Sequence, residues 1–301
     1  MRGMVVKLLK FTRMYNITVT AIKIFQKQIL GNTLFPTKIY REYIYGHSFR
    51  NIQRDNRTTC WCGGKLLLLK KHPNYGTCSE CGCYVSKHPP LQSELAKLYS
   101  MDYWQARQKM KNIPTIETRA NLYKTDGRLK YWLSIIKKYG PTNGRVIEIG
   151  CAPGILLAEL QKSGFECIGV EPDHEVSEWI RKNMGIAVYE GLFPYMELPS
   201  CDLFLAFDLI EHVPSPKDFM SEIHKLLNPN GIAIIQTPIQ CHDYTHPFKE
   251  RPNFFDDLEH LFLFTDKAML KLAEIGQMEV VALEDSMGGT LGHVCVLKKT
   301  Q

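Results

Sequence analysis

The stretch Arg145 to Gly154, RVIEIGCAPG, decides the fold, because a short apolar run breaks there into a glycine-bearing turn and then into an apolar helix. Val146, Ile147 and Ile149 read as a buried parallel strand, Gly150 and Gly154 as the turn, and Ile155 to Leu160 as the start of the helix face. In an open α/β sheet such a turn lies at the carboxyl ends of the strands, where ligands bind. A dinucleotide fingerprint, G-x-G-x-x-G, counted from Gly150 needs glycines at 152 and 155, where the chain has Ala152 and Ile155. That reading weakens accordingly.

Downstream, Phe165 to Val170 gives a second strand, ending at Glu171-Pro172-Asp173. Glu171 lies 21 residues after Gly150, where a carboxylate can accept hydrogen bonds from both ribose hydroxyls of an adenosine ligand; a dinucleotide fold also places an acid near here. The competing role is a charge at the N-terminus of the helix beginning near His174. A brief third strand, Ala187 to Tyr189, precedes the apolar run Leu203 to Phe207, which closes with Asp208-Leu209-Ile210-Glu211-His212. Those polar groups reach the same crevice as Gly150 and Glu171. His212 is the nearest candidate general base, against a role for Glu211 and His212 in bracing the loop. Ser215-Pro216 opens the next helix as N-cap and first position, and Asn228 to Gly231 turns the chain into a fifth strand, Ile232 to Gln236. An insertion from Ile239 to Phe262 carries His242, Asp243, His246, Arg251, Phe254, Phe255, Glu259 and His260, a composition suited to an acceptor pocket or lid. His260 is a second candidate base. Thr265 caps a last helix ending at Gly276, followed by an antiparallel pair, Met278 to Leu283 and Gly292 to Lys298.

Upstream, residues 119–139 predict one helix with Leu122, Leu129, Trp132, Leu133, Ile136 and Tyr139 among its apolar positions, and with Arg119 and Tyr123 placed either toward the site or on the surface. Of ten cysteines, five fall between Cys60 and Cys83, which suggests metal ligation rather than a disulfide framework. Cys60 and Cys62 are separated from Cys78 and Cys81 by 15 residues, each pair followed by glycine, the pattern of a zinc ribbon whose four thiolates close a structural site. The first pair is C-x-C rather than C-x-x-C, so Cys83 and His72 stand as substitute ligands.

The net charge of +6 is uneven: residues 1–57 hold eleven Lys/Arg and two Asp/Glu, net +9, leaving −3 for residues 58–301. The downstream part lacks the basic footprint of a nucleic-acid enzyme. The basic lead, with eight cations and no acid in residues 1–41, reads as a peripheral membrane contact, a targeting segment or a partner-binding segment, against a poorly ordered lead with none of these roles. No stretch approaches the roughly 20 apolar residues of a bilayer span, and the first 30 residues lack a clean apolar core of a secretory signal; a cytoplasmic enzyme is expected.

Glu148-x-Gly150-x-Ala152-x-Gly154 resembles motif I of the class I S-adenosylmethionine-dependent methyltransferases, with alanine for the middle glycine. Residues 218–238, DFMSEIHKLLNPNGIAIIQTP, resemble the same enzymes from the helix through the fifth strand. The order of cysteine ribbon, proline-bearing link, L-x-x-L-Y-x-x-D-Y-W segment at Leu95 to Trp104 and motif I is similar to bacterial zinc-ribbon methyltransferases. This likeness covers residues 58–301 and implies an α/β, Rossmann-like, mostly parallel seven-stranded sheet with a small zinc ribbon. The expected division is a lead (1–57), ribbon (58–90), linker with helix (91–118) and methyltransferase domain (119–301). The resemblance implies S-adenosylmethionine held by Glu148, Gly150, Cys151, Ala152, Gly154, Glu171, Pro172, Asp208 and Leu209, and a small-molecule acceptor such as a sugar or polysaccharide precursor. Asp208-x-x-Glu211-His212 also resembles the E-x-x-E-H of ubiquinone-pathway O-methyltransferases, which holds a divalent cation there. Two rivals stand beside this: a non-catalytic binding protein on a degenerate scaffold, and an NAD-dependent oxidoreductase.

Overall fold

The computed structural model describes residues 52–70, 72–98, 115–238, 259–289 and 292–300. The basic lead, the link from Tyr99 to Trp104 and the insertion residues His242, Asp243, His246, Arg251, Phe254 and Phe255 lie outside the described residues. The chain divides into two compact units, 1–52 and 53–301, and the second contains everything that follows.

Its centre is a seven-stranded sheet built from β4 (Arg145–Ile149), β5 (Glu166–Glu171), β6 (Ala187–Glu190), β7 (Cys201–Phe207), β8 (Leu227–Thr237), β10 (Met278–Asp285) and β11 (His293–Lys299). The order across the sheet is β10-β11-β8-β7-β4-β5-β6. Strands β4 to β8 pair in parallel, while β11 runs antiparallel to β8 and to β10. The order reverses between β4 and β7, neighbours whose connections leave in opposite directions, and that switch point opens the ligand crevice of a doubly wound sheet.

Both faces are covered, which is why the parallel strands read as continuous apolar runs. On one face α3 (Arg128–Tyr139), α4 (Ile155–Lys162) and α5 (His174–Met184) pack Trp132, Ile136, Leu156, Leu160 and Ile180 against Val146, Leu203 and Leu205. On the other, α6 (Pro216–Leu226) and α7 (Asp266–Ile275) pack Phe219, Ile223, Met269 and Leu272 against Ile147, Ile149, Phe204 and Ala206. The starts of these helices follow from local chemistry: Asp173 accepts the Val176 N–H at 2.9 Å, Ser215 the Asp218 N–H at 3.3 Å and Thr265 the Ala268 N–H at 3.2 Å.

Two expectations are corrected. The helix predicted over 119–139 is two helices, α2 (Ile116–Thr125) and α3, because Asp126-Gly127 interrupts it with Gly127 at φ +93. The turn predicted at Asn228 to Gly231 lies inside β8, which starts at Leu227 and shifts register against β7 between Cys201 and Leu203.

The cysteine-rich segment forms a second sheet of β1 (Leu66–Leu68), β2 (Tyr75–Cys78), β3 (Tyr84–Ser86) and β9 (Phe262–Leu263). The fourth strand comes from beyond β8, so residues 58–90 do not close a sheet by themselves. Val85 pairs with Phe262 and Tyr84 with Leu263, and Cys60, Cys78, Cys81, Cys83 and Val85 join the same buried cluster as Phe264 and Leu272. A segment this short has no room for a core of its own; it borrows one from the larger sheet. A short helix, α1 (Gln92–Leu98), follows the ribbon.

Candidate functional site

The Gly150 turn folds back over the end of β5: the N–H groups of Gly150 and Cys151 both donate to the Val170 carbonyl, at 2.9 and 3.2 Å. Gly150 and Gly154 take φ of +68 and +80. A side chain at Gly154 would also meet Ile180 Cγ2 at 2.8 Å, so glycine there lets α5 pack against the head of α4. Leu209 Cδ1 lies 3.4 Å from where a Gly150 side chain would begin, which brings the end of β7 over the turn.

Glu171 ends β5 with 9% of its surface exposed. Burial raises its carboxyl to about 7, opposed by hydrogen bonds from the backbone N–H groups of Asp173 and Ala152 and by the charge of Arg119. The Ala152 N–H thus ties the turn to Glu171, and the charge of Arg119 acts on its carboxyl. Glu148, on β4, is buried; desolvation and the nearby Glu171 push its carboxyl well up, and its Oε2 has no hydrogen-bond partner. Cys151 is buried, its thiol raised by burial and then by the two carboxyls. Pro172 sits exposed at the bend into α5, away from the buried wall formed by the rest of this group.

Asp208 closes β7 in the left-handed region, φ 51, a conformation that costs about 1–2 kcal/mol for a residue with a side chain. Gln236 Nε2 donates to its carboxylate at 3.0 Å, while Gln236 Oε1 accepts from Trp132 Nε1 at 3.1 Å and from Ser286 at 2.8 Å. Trp132 stacks on Phe207 with centroids 4.8 Å apart and meets Tyr123 edge-on at 5.4 Å. Arg119 Nε donates to Tyr123 Oη at 2.8 Å. One continuous network therefore runs from Arg119 to Asp208. The sequence reading missed its centre, Trp132, Gln236 and Ser286; the only trace of it was a glutamine ending an otherwise apolar fifth strand.

Immediately after Asp208 a single 3-10 turn, Ile210–His212, carries Glu211 and His212. Glu211 is 1% exposed; Thr237 Oγ1 donates to its Oε2 at 2.9 Å, and Oε1 has no hydrogen-bond partner. Burial, then Asp208, push its carboxyl well above the usual range. His212 Nδ1 donates to the Glu259 carbonyl at 2.8 Å, which leaves Nε2 as the basic nitrogen of the neutral ring. The ring of His260 lies 5.0 Å from that of His212. One ligand atom each from Glu211, His212 and His260 falls within 4.8 Å of the others, so both histidines chosen from sequence are brought together with Glu211, 49 residues before His260 on the chain and one before His212.

In the ribbon, ligand atoms of Cys60, Cys62, Cys78 and Cys81 also lie within 4.8 Å of one another. Sγ separations are 3.7 Å for Cys60 and Cys81 and 3.4 Å for Cys62 and Cys78. The N–H groups of Glu80 and Cys81 point at Cys78 Sγ from 3.4 and 3.5 Å. Gly64 is required here, since a side chain would meet Cys78 Sγ at 2.5 Å. Cys83, the substitute ligand considered from spacing, turns instead to the Leu263 carbonyl at 3.3 Å, and His72 is outside the four-sulfur group.

Residues 123–283 match the family of the methyltransferase domain, 161 of the 301 residues. The chain belongs to this family. Similar curated proteins include the ubiquinone biosynthesis O-methyltransferase of Azorhizobium caulinodans, 26% identical over 155 residues that cover 48% of this chain and 61% of that protein. The mitochondrial ubiquinone biosynthesis O-methyltransferase of Schizosaccharomyces pombe is 24% identical over 120 residues, 36% of this chain and 44% of that one. The chain thus spans about three-fifths of the length of the first of these relatives. Among solved structures, a candidate O-methyltransferase from Nostoc punctiforme aligns with a TM-score of 0.50 at 15% identity, covering 62% of this chain and 59% of that one. The seven-stranded, mostly parallel sheet of this methyltransferase domain is the Rossmann-like class I fold expected from motif I, and family membership turns the reading away from an NAD-dependent oxidoreductase.

Proposed function

We propose that this methyltransferase domain binds S-adenosylmethionine across the carboxyl ends of β4, β5 and β7 and transfers its methyl group to a hydroxyl of a small-molecule acceptor beside Glu211, His212 and His260. The observation that carries the reading is the junction at the sheet switch point, where the Gly150 turn, the buried Glu171 and the Asp208 to His212 segment meet along one edge. Glu171 accepts the ribose hydroxyls; Glu148, Gly150, Cys151, Ala152 and Gly154 form the floor; Asp208 and Leu209 close the side. The acceptor oxygen attacks the sulfonium methyl, the carbon–sulfur bond breaks, and S-adenosylhomocysteine leaves as a neutral thioether. The hydroxyl proton passes to His212 Nε2, a transfer that contributes typically 10²–10⁴-fold. Alignment of acceptor and methyl supplies more, about 7–11 kcal/mol in favourable cases.

Hydroxyl transfer is preferred because the curated relatives are O-methyltransferases; a sugar or polysaccharide acceptor draws no support from them. A second reading is favoured by one observation, the buried Glu211 Oε1, which accepts no hydrogen bond and lies 3.8 Å from His212 Nε2. With His212 and His260 it fits a divalent cation, and the Nδ1 bond to a backbone carbonyl is what an Nε2 metal ligand needs. Such a cation supplies acidity to a bound hydroxyl. The four ribbon thiols fit zinc: an ideal tetrahedral site with bonds of about 2.3 Å has sulfur–sulfur edges of roughly 3.8 Å, against the observed 3.7 and 3.4 Å. With four protein ligands its role is structural.

Calorimetric titration with S-adenosylhomocysteine tests the cofactor assignment, and absence of binding by the wild-type chain defeats it. Transfer of labelled methyl from S-adenosylmethionine to catechols such as 3,4-dihydroxybenzoate tests the acceptor class. Catechol transfer abolished in His212→Ala with cofactor affinity intact is the expected result.

A further inference from the structure

The segment Glu259 to Thr265 touches two things at once. On one side it serves the acceptor end of the site: the Glu259 carbonyl holds His212 Nδ1 at 2.8 Å, the Leu261 N–H donates to the Glu211 carbonyl at 2.8 Å, and His260 itself faces the His212 ring. On the other side it is the edge strand of the ribbon. Ser86 N–H donates to the Leu261 carbonyl at 2.9 Å, Val85 and Tyr84 pair with Phe262 and Leu263, and the Cys83 thiol donates to the Leu263 carbonyl at 3.3 Å. Thr265 Oγ1 donates to the Cys81 carbonyl at 3.2 Å, and the Arg57 guanidinium lies 4.8 Å over the Phe262 ring. From within the ribbon, the Tyr75 hydroxyl donates to the backbone carbonyl of His260 itself at 2.6 Å.

We infer that the ribbon is a clamp on the acceptor end of the site, and that Tyr75 is a positioning residue which fixes His260 and, through Glu259, the ring of His212. The inference rests on reading Glu211, His212 and His260 as that acceptor end. Tyr75 suits the task because its ring is itself immobile: it is 2% exposed and packed with Tyr84 and Leu263. A hydroxyl carried by a fixed ring restricts the carbonyl it bonds, and a residue bonded on both sides of the peptide has one conformation instead of several. The ribbon's closed four-thiol turn then holds Tyr75, three residues before Cys78, in place.

The test is Tyr75→Phe, which keeps the packed ring and removes only the hydroxyl. The full chain is labelled with ¹⁵N-histidine, and ring signals are compared with and without S-adenosylhomocysteine after assignment by His212→Asn and His260→Asn. The expected result is a shift or broadening of both the His260 and His212 signals while those of His174 and His224, on α5 and α6, stay in place and cofactor affinity is unchanged. His212 is the diagnostic ring, since its hold is the Glu259 carbonyl rather than Tyr75. Wild-type positions for His212 in the variant overturn the inference, as does a uniform displacement of all four rings. Should the wild type fail to bind S-adenosylhomocysteine, the function proposed above falls, and the cofactor-free spectra still decide the clamp.

Discussion

If Glu171 accepts the ribose hydroxyls, cofactor binding is coupled to a proton. Its carboxyl is raised to about 7 by burial, against Arg119 and the N–H groups of Asp173 and Ala152. Hydroxyl donors favour the ionised form, so binding is strongest where Glu171 has already lost its proton. With a pKa near 7 the ionised fraction is about 0.09 at pH 6 and about 0.9 at pH 8, a tenfold difference in affinity, or about 1.4 kcal/mol. The Glu148 carboxyl is pushed in the same direction, well up, by its own burial and then by Glu171. The sign for stability runs oppositely. A carboxyl raised in the folded state favours the cofactor-free fold most below its unfolded value of 4.5. That contribution is lost as pH climbs from 4.5 through about 7, a change of order 3 kcal/mol. Calorimetric titrations with S-adenosylhomocysteine at pH 6, 7 and 8, each in two buffers of different ionisation enthalpy, read both affinity and protons. The wild type is expected to bind about ten times more tightly at pH 8 than at pH 6 and to release about half a proton at pH 7. Glu171→Gln is expected to bind weakly with no slope. A flat wild-type profile, or a slope that survives in Glu171→Gln, refutes the reasoning.

Three further outcomes are open to measurement. Titration with Mn²⁺ monitored by electron paramagnetic resonance is expected to find one site lost in Glu211→Gln and His212→Ala; binding that persists in both removes the cation reading. Thr265→Ala removes the N-cap of α7 and the bond to Cys81, and should lower stability in urea by about 1–2 kcal/mol; no change in the urea midpoint contradicts the cap assignment. Purified protein is expected to contain one zinc per chain, released by a thiol-modifying reagent with loss of the ribbon's amide protection, and a metal-free preparation with intact protection overturns the zinc assignment.

The parallel strands around Arg145 to Gly154 were legible because a strand buried on both faces must be apolar throughout, and two of the helices announce themselves through Ser215 and Thr265. The grouping of Gly150, Glu171 and Asp208 along one edge was legible for the same reason: residues at the carboxyl ends of such strands share one crevice wherever they fall in the chain. The break between α2 and α3 was not, since apolar periodicity continues across Asp126-Gly127 and one left-handed glycine leaves no mark on a helical pattern. The Trp132, Gln236 and Ser286 junction was invisible because its hydrogen bonds span 104 and 50 residues, so it exists only once the sheet has formed. Likewise Leu261 and Phe262 read as the end of the Ile239 to Phe262 insertion. A strand of two residues has no period to detect, and its partner lies in the ribbon.

The pairing of β3 with β9 also sets a timetable for the nascent chain. Cys83 and the Leu263 carbonyl it meets are 180 residues apart, and at ordinary synthesis rates roughly 10–40 s separate their emergence. Throughout that interval the ribbon can gather its thiolates, yet β3 remains an open edge with Val85 uncovered, the kind of surface that pairs with a neighbouring chain. Expression of any fragment ending before Phe262 makes that interval permanent, and aggregation of such fragments through the ribbon edge is the cost of a sheet whose last strand is made so late.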